Sequence, residues 1–210
     1  MTSLDASLSI LPFDVSRETL DKLNLYERLL YQWNAKINLV ARSTLPDRFH
    51  RHFVDSAQLL SFVSDDWGDW LDLGSGGGFP GLVCAILAAD QYPRLSFHLV
   101  ESDQRKSVFL RTVARETETN VKILAHRVED LSPRQASYLS ARALSALPDL
   151  LHMAHAHLAS SGVCLFMKGA NYQEEVILAR KTWNFDLQTH PSITHSRSAI
   201  LELKGLHRVK

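Results

Sequence analysis

A glycine-rich segment between two apolar stretches carries the clearest chemical signal in the 210-residue chain. Residues 72–81 are Asp-Leu-Gly-Ser-Gly-Gly-Gly-Phe-Pro-Gly. Gly74, Gly76 and Gly78 permit positive φ and let a ligand approach bare backbone, at an entropic cost that ordinary turns avoid. Pro80 suits the first turn of a following helix, whose N-terminal amides attract an anion. The segment predicts a cofactor site, and we expect valine at Gly76 or Gly78 to abolish binding without unfolding the chain.

Acidic residues follow the strands on either side of this segment. Asp72 lies in an otherwise apolar strand, where a carboxylate is costly to bury unless a cation or a hydrogen-bond donor meets it. Glu101 ends the next predicted strand, where its carboxylate can accept hydrogen bonds from both hydroxyls of a ribose. Glu129 or Asp130, just beyond the third strand, can lie near an adenine edge, with Val128 as an apolar contact. We favour Val128 and Glu129 as cofactor contacts.

Two classes of cofactor fit these residues. Gly76, Gly78 and Gly81 match the spacing of the dinucleotide fingerprint, which makes a dinucleotide site a serious alternative. Asp72 instead favours S-adenosylmethionine, whose ammonium and carboxylate groups can use Asp72 and the helix N-terminus respectively. The chain is also too short for the separate substrate domain of many dehydrogenases. We therefore predict S-adenosylmethionine as the cofactor.

The surrounding elements predict an α/β fold. Hydrophobic spacing predicts one helix from Ser16 to about Ala35 and another from Pro46 to about Val63. We interpret residues 1–66 as an N-terminal helical extension and residues 67–210 as the main domain. Strands are predicted at 70–73, 95–100, 121–125, 138–141, 162–167, 185–189 and 198–203, with helices at 81–89, 106–117 and 147–158. The last two strands predict an antiparallel hairpin. This order indicates a doubly wound, mostly parallel sheet, which binds ligands at the carboxyl ends of its strands.

Composition is typical of a globular chain. It is 45% hydrophobic and 22% charged, with a formal net charge of zero. No apolar run approaches the roughly 18 residues of a membrane span, and the first dozen residues lack the basic region of a signal peptide. Cys84 and Cys164 lie in apolar runs, as reduced core cysteines do. We expect a cytoplasmic protein without a disulfide.

Basic residues predict a nucleic-acid face beside the cofactor. Arg105 and Lys106 follow the second strand, Arg142 and Lys168 end the fourth and fifth strands, and Arg197 precedes the last strand. Each alone is typical of a solvated surface. Because the carboxyl ends of parallel strands share one edge of a sheet, four of them are expected to converge there. We expect phosphate contacts from exposed side chains, whose removal costs little stability.

The histidines do not predict a metal site. His152, His155 and His157 lie in one predicted helix, but only the first two share a face. A metal would need more ligands on that face, with supporting hydrogen bonds. We expect His152 and His155 on a helix surface and no metal. No Ser-His-Asp or Cys-His arrangement is evident, and we assign no general base.

These motifs, taken together, closely resemble the bacterial ribosomal RNA small subunit methyltransferase G family, also called glucose-inhibited division protein B. The resemblance covers nearly the whole chain and rests on Trp33-Asn34, Asn38-Leu39, Arg51-His52, Asp55-Ser56, LDLGSGGGFPG, ESDQRKSVFLR, RVED, Ser140–Ala143 and Lys168-Gly169. One departure is visible, because the acidic and apolar residues expected just before the fourth strand are Ala-Ser-Tyr-Leu here. That departure bears on the boundaries of this strand more than on the activity.

The resemblance implies a seven-stranded class I methyltransferase fold and transfer of a methyl group to N7 of guanine 527 in 16S ribosomal RNA. It also implies cofactor contacts at Gly74, Phe79, Val128, Glu129 and Arg142. Guanine N7 carries a free lone pair, so its methylation needs alignment and electrostatic support rather than a base. The partner is then 16S ribosomal RNA or the small ribosomal subunit, with no membrane involved.

Two other functions are compatible with the glycine segment. A methyltransferase acting on a small molecule or a protein would carry the same segment, but the basic edge and the Arg51-His52 and ESDQRKSVFLR segments favour RNA. A regulatory nucleotide-binding module without catalysis is a third class. The complete set of acidic residues at Asp72, Glu101 and Glu129 argues against it.

Overall fold

The N-terminal region packs its helices onto one face of the sheet. The computed structural model describes residues 4–209 and begins with α1 (Leu4–Leu8) and α2 (Arg17–Asn34). Ser16 caps α2 by accepting a hydrogen bond from the Thr19 amide at 3.2 Å. The expected helix at 16–35 is confirmed to within a residue at each end.

The helix expected from 46 to about 63 is present as helical backbone from Phe49 to Phe62, but not as one regular α-helix. A 3-10 helix at Arg42–Asp47 precedes a π-helical segment at Phe49–Val54, which continues into α3 (Asp55–Ala57) and a second 3-10 helix at Gln58–Phe62. Ser56 Oγ donates to His52 O at 2.6 Å, and Thr44 Oγ1 donates to Ala41 O at 2.6 Å. Such local side-chain bonds to carbonyls compete with a regular helix. The hydrophobic pattern indicated burial correctly but not the type of turn.

A seven-stranded sheet forms the centre of the molecule. Its strands are β1 (Trp67–Leu73), β2 (Arg94–Val100), β3 (Val121–Leu124), β4 (Ala136–Arg142), β5 (Leu158–Lys168), β6 (Trp183–Pro191) and β7 (Ala199–Arg208). Their order is β3-β2-β1-β4-β5-β7-β6, and only β7 runs antiparallel to its neighbours, β5 and β6. The doubly wound, mostly parallel sheet and the terminal hairpin are confirmed. Strand order reverses between β1 and β4, where such sheets open a crevice for ligands.

Helices cover both faces of the sheet. They are α4 (Gly81–Gln91) and α5 (Gln104–Glu116) on one face, and α6 (Leu147–His157) and α7 (Tyr172–Ala179) on the other. Successive residues of β1 point to opposite faces, with Trp70 packed toward α4 and Leu71 toward α6. Neither α1 nor α7 was expected from the sequence. Only Ala179 of α7 is fully buried. The helix therefore has no buried apolar stripe, and its sequence lacks the helical periodicity by which a helix is predicted.

The N-terminal region shares its core with the sheet. Leu23, Tyr26 and Phe53 are fully buried in the same cluster as Leu82 and Phe109 of α4 and α5. β1 begins at Trp67, but the proposed division into residues 1–66 and 67–210 stays a prediction. Across residues 4–209, no helix combines the length and the apolar character needed to cross a bilayer.

Candidate active site

A cavity of about 1130 Å³ opens at the carboxyl ends of the central strands. We divide its lining into two sides. The glycine-loop side comprises residues 74–77 and 79, 100–102, 106, and 126–129. The β4–β5 side comprises lining residues from 39–58, 142–153, 167–175 and 192–200. Its volume is slightly above the range of about 300–1,000 Å³ that is typical of ligand pockets.

The glycine loop is held in the left-handed backbone region that glycine favours. Gly74, Gly76 and Gly78 have φ values of +65°, +56° and +95°. At Gly76 an added Cβ would meet only Gly74 O, at 3.8 Å, so the space beside it is open. Gly76 N donates to Glu101 Oε2 at 2.8 Å. The loop thus presents bare backbone to the cavity and is tied to the end of β2.

Gly77 and Gly78 pack against Tyr26 of the N-terminal region. Tyr26 is fully buried, donates its hydroxyl to Gly77 O and stacks on Phe79 with ring centroids 5.5 Å apart. A Cβ at Gly78 would overlap the Tyr26 hydroxyl and lie 3.1 Å from Leu82 Cβ. Gly78 lies outside the cavity lining and packs against these residues, so the structure leads us to expect that its substitution destabilises the fold. Tyr26 had no signal in the sequence beyond its place on an apolar helix face.

Asp72 lies beneath the loop rather than in the cavity lining. Its carboxylate is fully buried, and Ser140 Oγ donates to Oδ1 at 2.6 Å, while Oδ2 lacks a hydrogen-bond partner within residues 4–209. Burial raises the pKa of Asp72 to about 6, opposed by the hydrogen bond from Ser140. An added Cβ at Gly81 would lie 2.5 Å from Asp72 Cβ, so this glycine brings α4 close to the strand.

Glu101 is oriented by backbone amides. It is 7% exposed and accepts from Gly76 N through Oε2 and from Asp103 N through Oε1, the latter at 2.7 Å. Each carboxylate oxygen retains a further lone pair. Val128 and Glu129 line the cavity on the same side, with Val128 buried and Glu129 exposed. The structure thus brings these three residues together with Gly74, Gly76 and Phe79.

Arg142 joins the two sides of the cavity. Its guanidinium carbon lies 5.0 Å from the centroid of the Phe79 ring. One terminal nitrogen donates to Arg51 O at 2.9 Å and lies 3.5 Å from Asp55 Oδ2. The other lies 2.9 Å from His52 Nδ1. The guanidinium is therefore held in a fixed plane against the aromatic ring.

His52 is a neutral imidazole with a defined tautomer. Because a guanidinium only donates, Nδ1 must accept from Arg142, and Nε2 carries the proton. Nε2 lies 2.8 Å from Thr44 Oγ1, which itself donates to Ala41 O. Burial, followed by the charges of Arg142 and Arg51, lowers the pKa of His52 to about 3. No role for His52 followed from its sequence context, although it lies in the Arg51-His52 motif.

Asp55 ties the β6–β7 turn to the N-terminal region. Its Oδ1 accepts from Gln58 Nε2 at 2.9 Å, Ser192 Oγ at 3.1 Å and Thr194 Oγ1 at 2.6 Å. These bonds fix the turn at the rim of the cavity. Spacing along the chain gave Asp55 no role either, because Ser192 and Thr194 lie more than 130 residues away.

The basic residues occupy different positions. Arg142, Lys168 and Lys106 line the cavity, whereas Arg105 and Arg197 are exposed and lie outside its lining. The Lys168 side chain is only 9% exposed and forms a 2.6 Å ion pair with Glu175. The expectation that Lys168 is an exposed base of little structural weight is therefore wrong. The predicted position at the end of β5 was correct, but its acidic partner lies on α7, a helix not expected from the sequence.

The histidines of α6 are held by neighbouring side chains. His152 Nδ1 lies 3.2 Å from an Arg208 nitrogen, and the His155 ring packs 5.2 Å from Trp183. His157 is buried, and its Nε2 lies 3.2 Å from Val128 O, which supports the glycine-loop side. Throughout residues 4–209, no three His, Cys, Asp or Glu residues are grouped as metal ligands. Cys84 and Cys164 are buried free thiols.

Solved structures share the fold. The ribosomal protein L11 methylase of Lactobacillus delbrueckii subsp. bulgaricus matches with a TM-score of 0.60 and 15% identity, over 75% of this chain and 80% of that chain. M. jannaschii TYW2 in complex with AdoMet matches with a TM-score of 0.56 and 14% identity, over 83% and 80% of the two chains. At these identities the likeness shows the class I methyltransferase fold alone.

Sequence relatives are much closer. The Cereibacter sphaeroides protein named ribosomal RNA small subunit methyltransferase G is 50% identical over 93% of this chain and 95% of its own length. The Ruegeria pomeroyi protein of the same name is 47% identical over 93% and 96% of the two chains. A family model described as rRNA small subunit methyltransferase G matches residues 19–203. The chain belongs to the rRNA small subunit methyltransferase G family.

Proposed function

We propose that the cavity is the site at which a methyl group passes from S-adenosylmethionine to N7 of guanine 527 in 16S ribosomal RNA. The observation that carries this proposal is the division of the cavity. One side presents glycine backbone and an oriented carboxylate, and the other presents a rigid wall of paired polar residues. We place the reaction in the cytoplasm, with 16S RNA or the small ribosomal subunit as the partner.

The glycine-loop side suits the cofactor. Glu101 has free lone pairs for ribose hydroxyls, Val128 offers an apolar surface, and Glu129 is exposed at the rim to meet an adenine edge. Gly74 and Gly76 leave room for the amino-acid end. Asp72, buried below the loop rather than in the lining, would act on the ammonium group through its charge. Bound here, S-adenosylmethionine supplies an activated methyl group on a sulfonium sulfur.

The protein's part in the reaction is alignment. N7 of guanine attacks through its own lone pair, so no proton has to leave before the methyl group transfers. Consistent with this, His52 faces Arg142 and Thr44 and is held neutral, which makes it a support rather than a base. Arg142, stacked on Phe79, borders both sides and fixes the wall against which the two reactants meet. We assign no general base.

RNA would reach the cavity across a basic rim. Lys106, Arg51 and Arg127 line the cavity and make no side-chain ion pair within the described part of the chain. Arg105 and Arg197 lie farther out and are exposed. Together these residues form the RNA-binding surface in our proposal, with phosphate contacts that weaken as salt rises.

Two measurements test the proposal. Calorimetry should show binding of S-adenosylmethionine, or of its demethylated product, and no comparable binding of NAD. Methyl transfer from labelled S-adenosylmethionine to 16S RNA, both as naked RNA and within the small subunit, should label one of these substrates. Binding of NAD alone would restore the dinucleotide interpretation. Cofactor binding without transfer to either RNA substrate would reject the proposed substrate.

A further inference from the structure

The ion pair between Lys168 and Glu175 lies in the cavity wall and has no part in the reaction described above. Lys168 ends β5, and Glu175 lies on α7. Lys168 Nζ lies 2.6 Å from Glu175 Oε2 and donates to Ser145 O at 2.9 Å. Glu175 Oε2 also accepts from Leu147 N at 2.6 Å. Both side chains are thus fixed in position, at 9% and 24% exposure.

Two hydrogen-bonding groups of this pair remain unused. An ammonium group has three N–H donors, and the contacts with Glu175 and Ser145 use two of those of Lys168. Within residues 4–209, Glu175 Oε1 has no hydrogen-bond partner. Because both residues line the cavity, the pair offers it one donor and one neighbouring carboxylate acceptor.

We propose that the Lys168–Glu175 pair reads the Watson–Crick edge of the target guanine, an inference that rests on the function proposed above. Guanine presents the O6 acceptor beside the N1–H donor, which match the Lys168 donor and the Glu175 acceptor in order. Adenine presents a donor at N6 and an acceptor at N1, the reverse order. Adenine would set donor against donor and acceptor against acceptor, and hydrogen-bonding groups left unsatisfied in this wall are costly, so adenine is rejected.

The other carboxylates of the cavity are less suited to this role. Asp55 Oδ1 already accepts three hydrogen bonds, and its Oδ2 faces Arg142. Glu101 is held by two backbone amides on the glycine-loop side. Glu129 and Asp149 are exposed at the rim, where water competes for them. Glu175 combines a fixed orientation with an unused oxygen.

The surroundings of the pair suit a purine. Met167, next to Lys168 in β5, pairs in register with Ile200 of β7, and both side chains line the cavity. Successive residues of a strand point to opposite faces, so these two side chains supply apolar surface to the cavity lining from the other face of β5. The pair is also neutral as a unit, so it does not oppose the positive charge that a purine gains on methylation at N7.

Nucleotide substitution in the RNA tests the proposal without any change in the protein. Three versions of the RNA substrate carry guanine, inosine or 2-aminopurine at the target position. Inosine keeps O6 and N1–H but lacks the 2-amino group, whereas 2-aminopurine keeps the amino group and lacks the other two. We expect inosine to be methylated about as fast as guanine, and 2-aminopurine about tenfold to a hundredfold more slowly. Equal rates for guanine and 2-aminopurine would overturn the inference.

The variant Glu175→Gln tests the residue itself. Its amide oxygen must replace Oε2 to accept from Leu147 N and Lys168, which places an NH₂ donor where Oε1 was. Methylation of guanine should fall about tenfold to a hundredfold. Methylation of 2-aminopurine should not fall, because its N1 acceptor can meet the new NH₂ donor, so the ratio of the two rates collapses. The adjacent Glu174→Gln, an exposed residue outside the cavity lining, is the matched control and should leave both rates unchanged.

The outcomes separate this inference from the proposed function. S-adenosylmethionine affinity measured by calorimetry should be the same in the wild type and Glu175→Gln, since Glu175 lies on the β4–β5 side. An unchanged rate ratio in a folded variant rejects base reading by Glu175 and leaves the methyltransferase function intact. Failure of the wild type to methylate guanine RNA rejects the function and the inference with it. If the variant does not fold, the nucleotide series still tests the inference, because equal rates for guanine and 2-aminopurine would show that no group reads the Watson–Crick edge.

Discussion

The two sides of the cavity are built from different kinds of sequence. The glycine-loop side is centred on one short segment, residues 74–79, to which the ends of β2 and β3 add residues 100–102 and 126–129. The β4–β5 side is assembled from segments far apart in the chain, held by side-chain bonds such as those of Asp55 to the β6–β7 turn. The comparison teaches that a cofactor loop can be recognised locally, whereas the wall for the second reactant exists only after folding.

Valine at two glycines of the loop should give the largest effects and should separate fold from ligand. Gly78→Val should lower the free energy of unfolding by about 3 kcal/mol or more, because the side chain overlaps Tyr26 and the backbone is left-handed. Gly76→Val has open space and should lose only about 1–2 kcal/mol, from backbone strain, while losing S-adenosylmethionine binding. Urea unfolding and calorimetry measure both; equal destabilisation by the two variants would contradict the assignment of Gly78 to packing.

The pH dependence of protein stability should show that His52, on the β4–β5 side of the cavity, is held neutral. Its folded pKa of about 3 lies below the unfolded value of 6.5, so the unfolded state binds the proton first, and this contribution to stability is lost as pH falls from 6.5 toward 3. The slope is at most about 1.4 kcal/mol per pH unit. Asp72, with a pKa raised to about 6, acts in the opposite sense between pH 4 and 6.

The variant His52→Gln isolates the histidine, because Asp72 is common to both proteins. The difference in unfolding free energy between wild type and His52→Gln should shrink as pH falls from 7 to 4. Urea unfolding at each pH gives this difference. A difference that does not vary with pH would show that His52 is not held neutral by Arg142 and burial.

Tyr26→Phe tests how far the N-terminal region supports the glycine loop. The change removes the hydroxyl that bonds to Gly77 O and leaves that buried carbonyl without its partner, at a cost of about 1–2 kcal/mol. We expect weaker S-adenosylmethionine binding together with an unchanged apparent KM for RNA. Calorimetry and steady-state kinetics provide the two values, and full cofactor affinity in the variant would remove Tyr26 from the support of the loop.

Alanine at Arg197 and at Lys168 should give different results, although both residues were expected to be exposed bases. Arg197→Ala should flatten the dependence of log affinity for RNA on log salt by up to about 0.9 for each phosphate that the variant no longer binds, with stability unchanged. Lys168→Ala leaves Glu175 unpaired and should destabilise the protein. RNA binding across a salt series and thermal unfolding distinguish them. Unchanged stability in Lys168→Ala would contradict the claim that the Lys168–Glu175 ion pair stabilises the fold.

The sequence predicted what depends on local pattern. The doubly wound, mostly parallel sheet, the hairpin and the positions of Glu101, Val128 and Arg142 at or just beyond strand ends followed from alternating strands and helices and from the family motifs. The turns at 42–62 did not follow, because side-chain bonds such as that of Ser56 to His52 O override the hydrophobic period. Helix α7 was missed for lack of a buried stripe.

The pairings within the site could not be predicted for a related reason. Lys168 and Glu175 are close in sequence, but their contact depends on α7 turning back onto the end of β5. Asp55 meets Thr194 only when the N-terminal region and the last hairpin pack together. Residue type and spacing indicated where charges would lie. Which charges are neutralised by a partner depends on tertiary structure.

Chemical mapping of the modified RNA tests the central claim most directly. After incubation of 16S RNA or the small subunit with the protein and S-adenosylmethionine, borohydride reduction and aniline cleavage break the strand wherever N7 of a guanine is methylated. We predict one new break, at guanine 527, which is absent without S-adenosylmethionine and with the loop variant Gly76→Val. Incorporation of labelled methyl groups without cleavage at that guanine would contradict N7 methylation at this site.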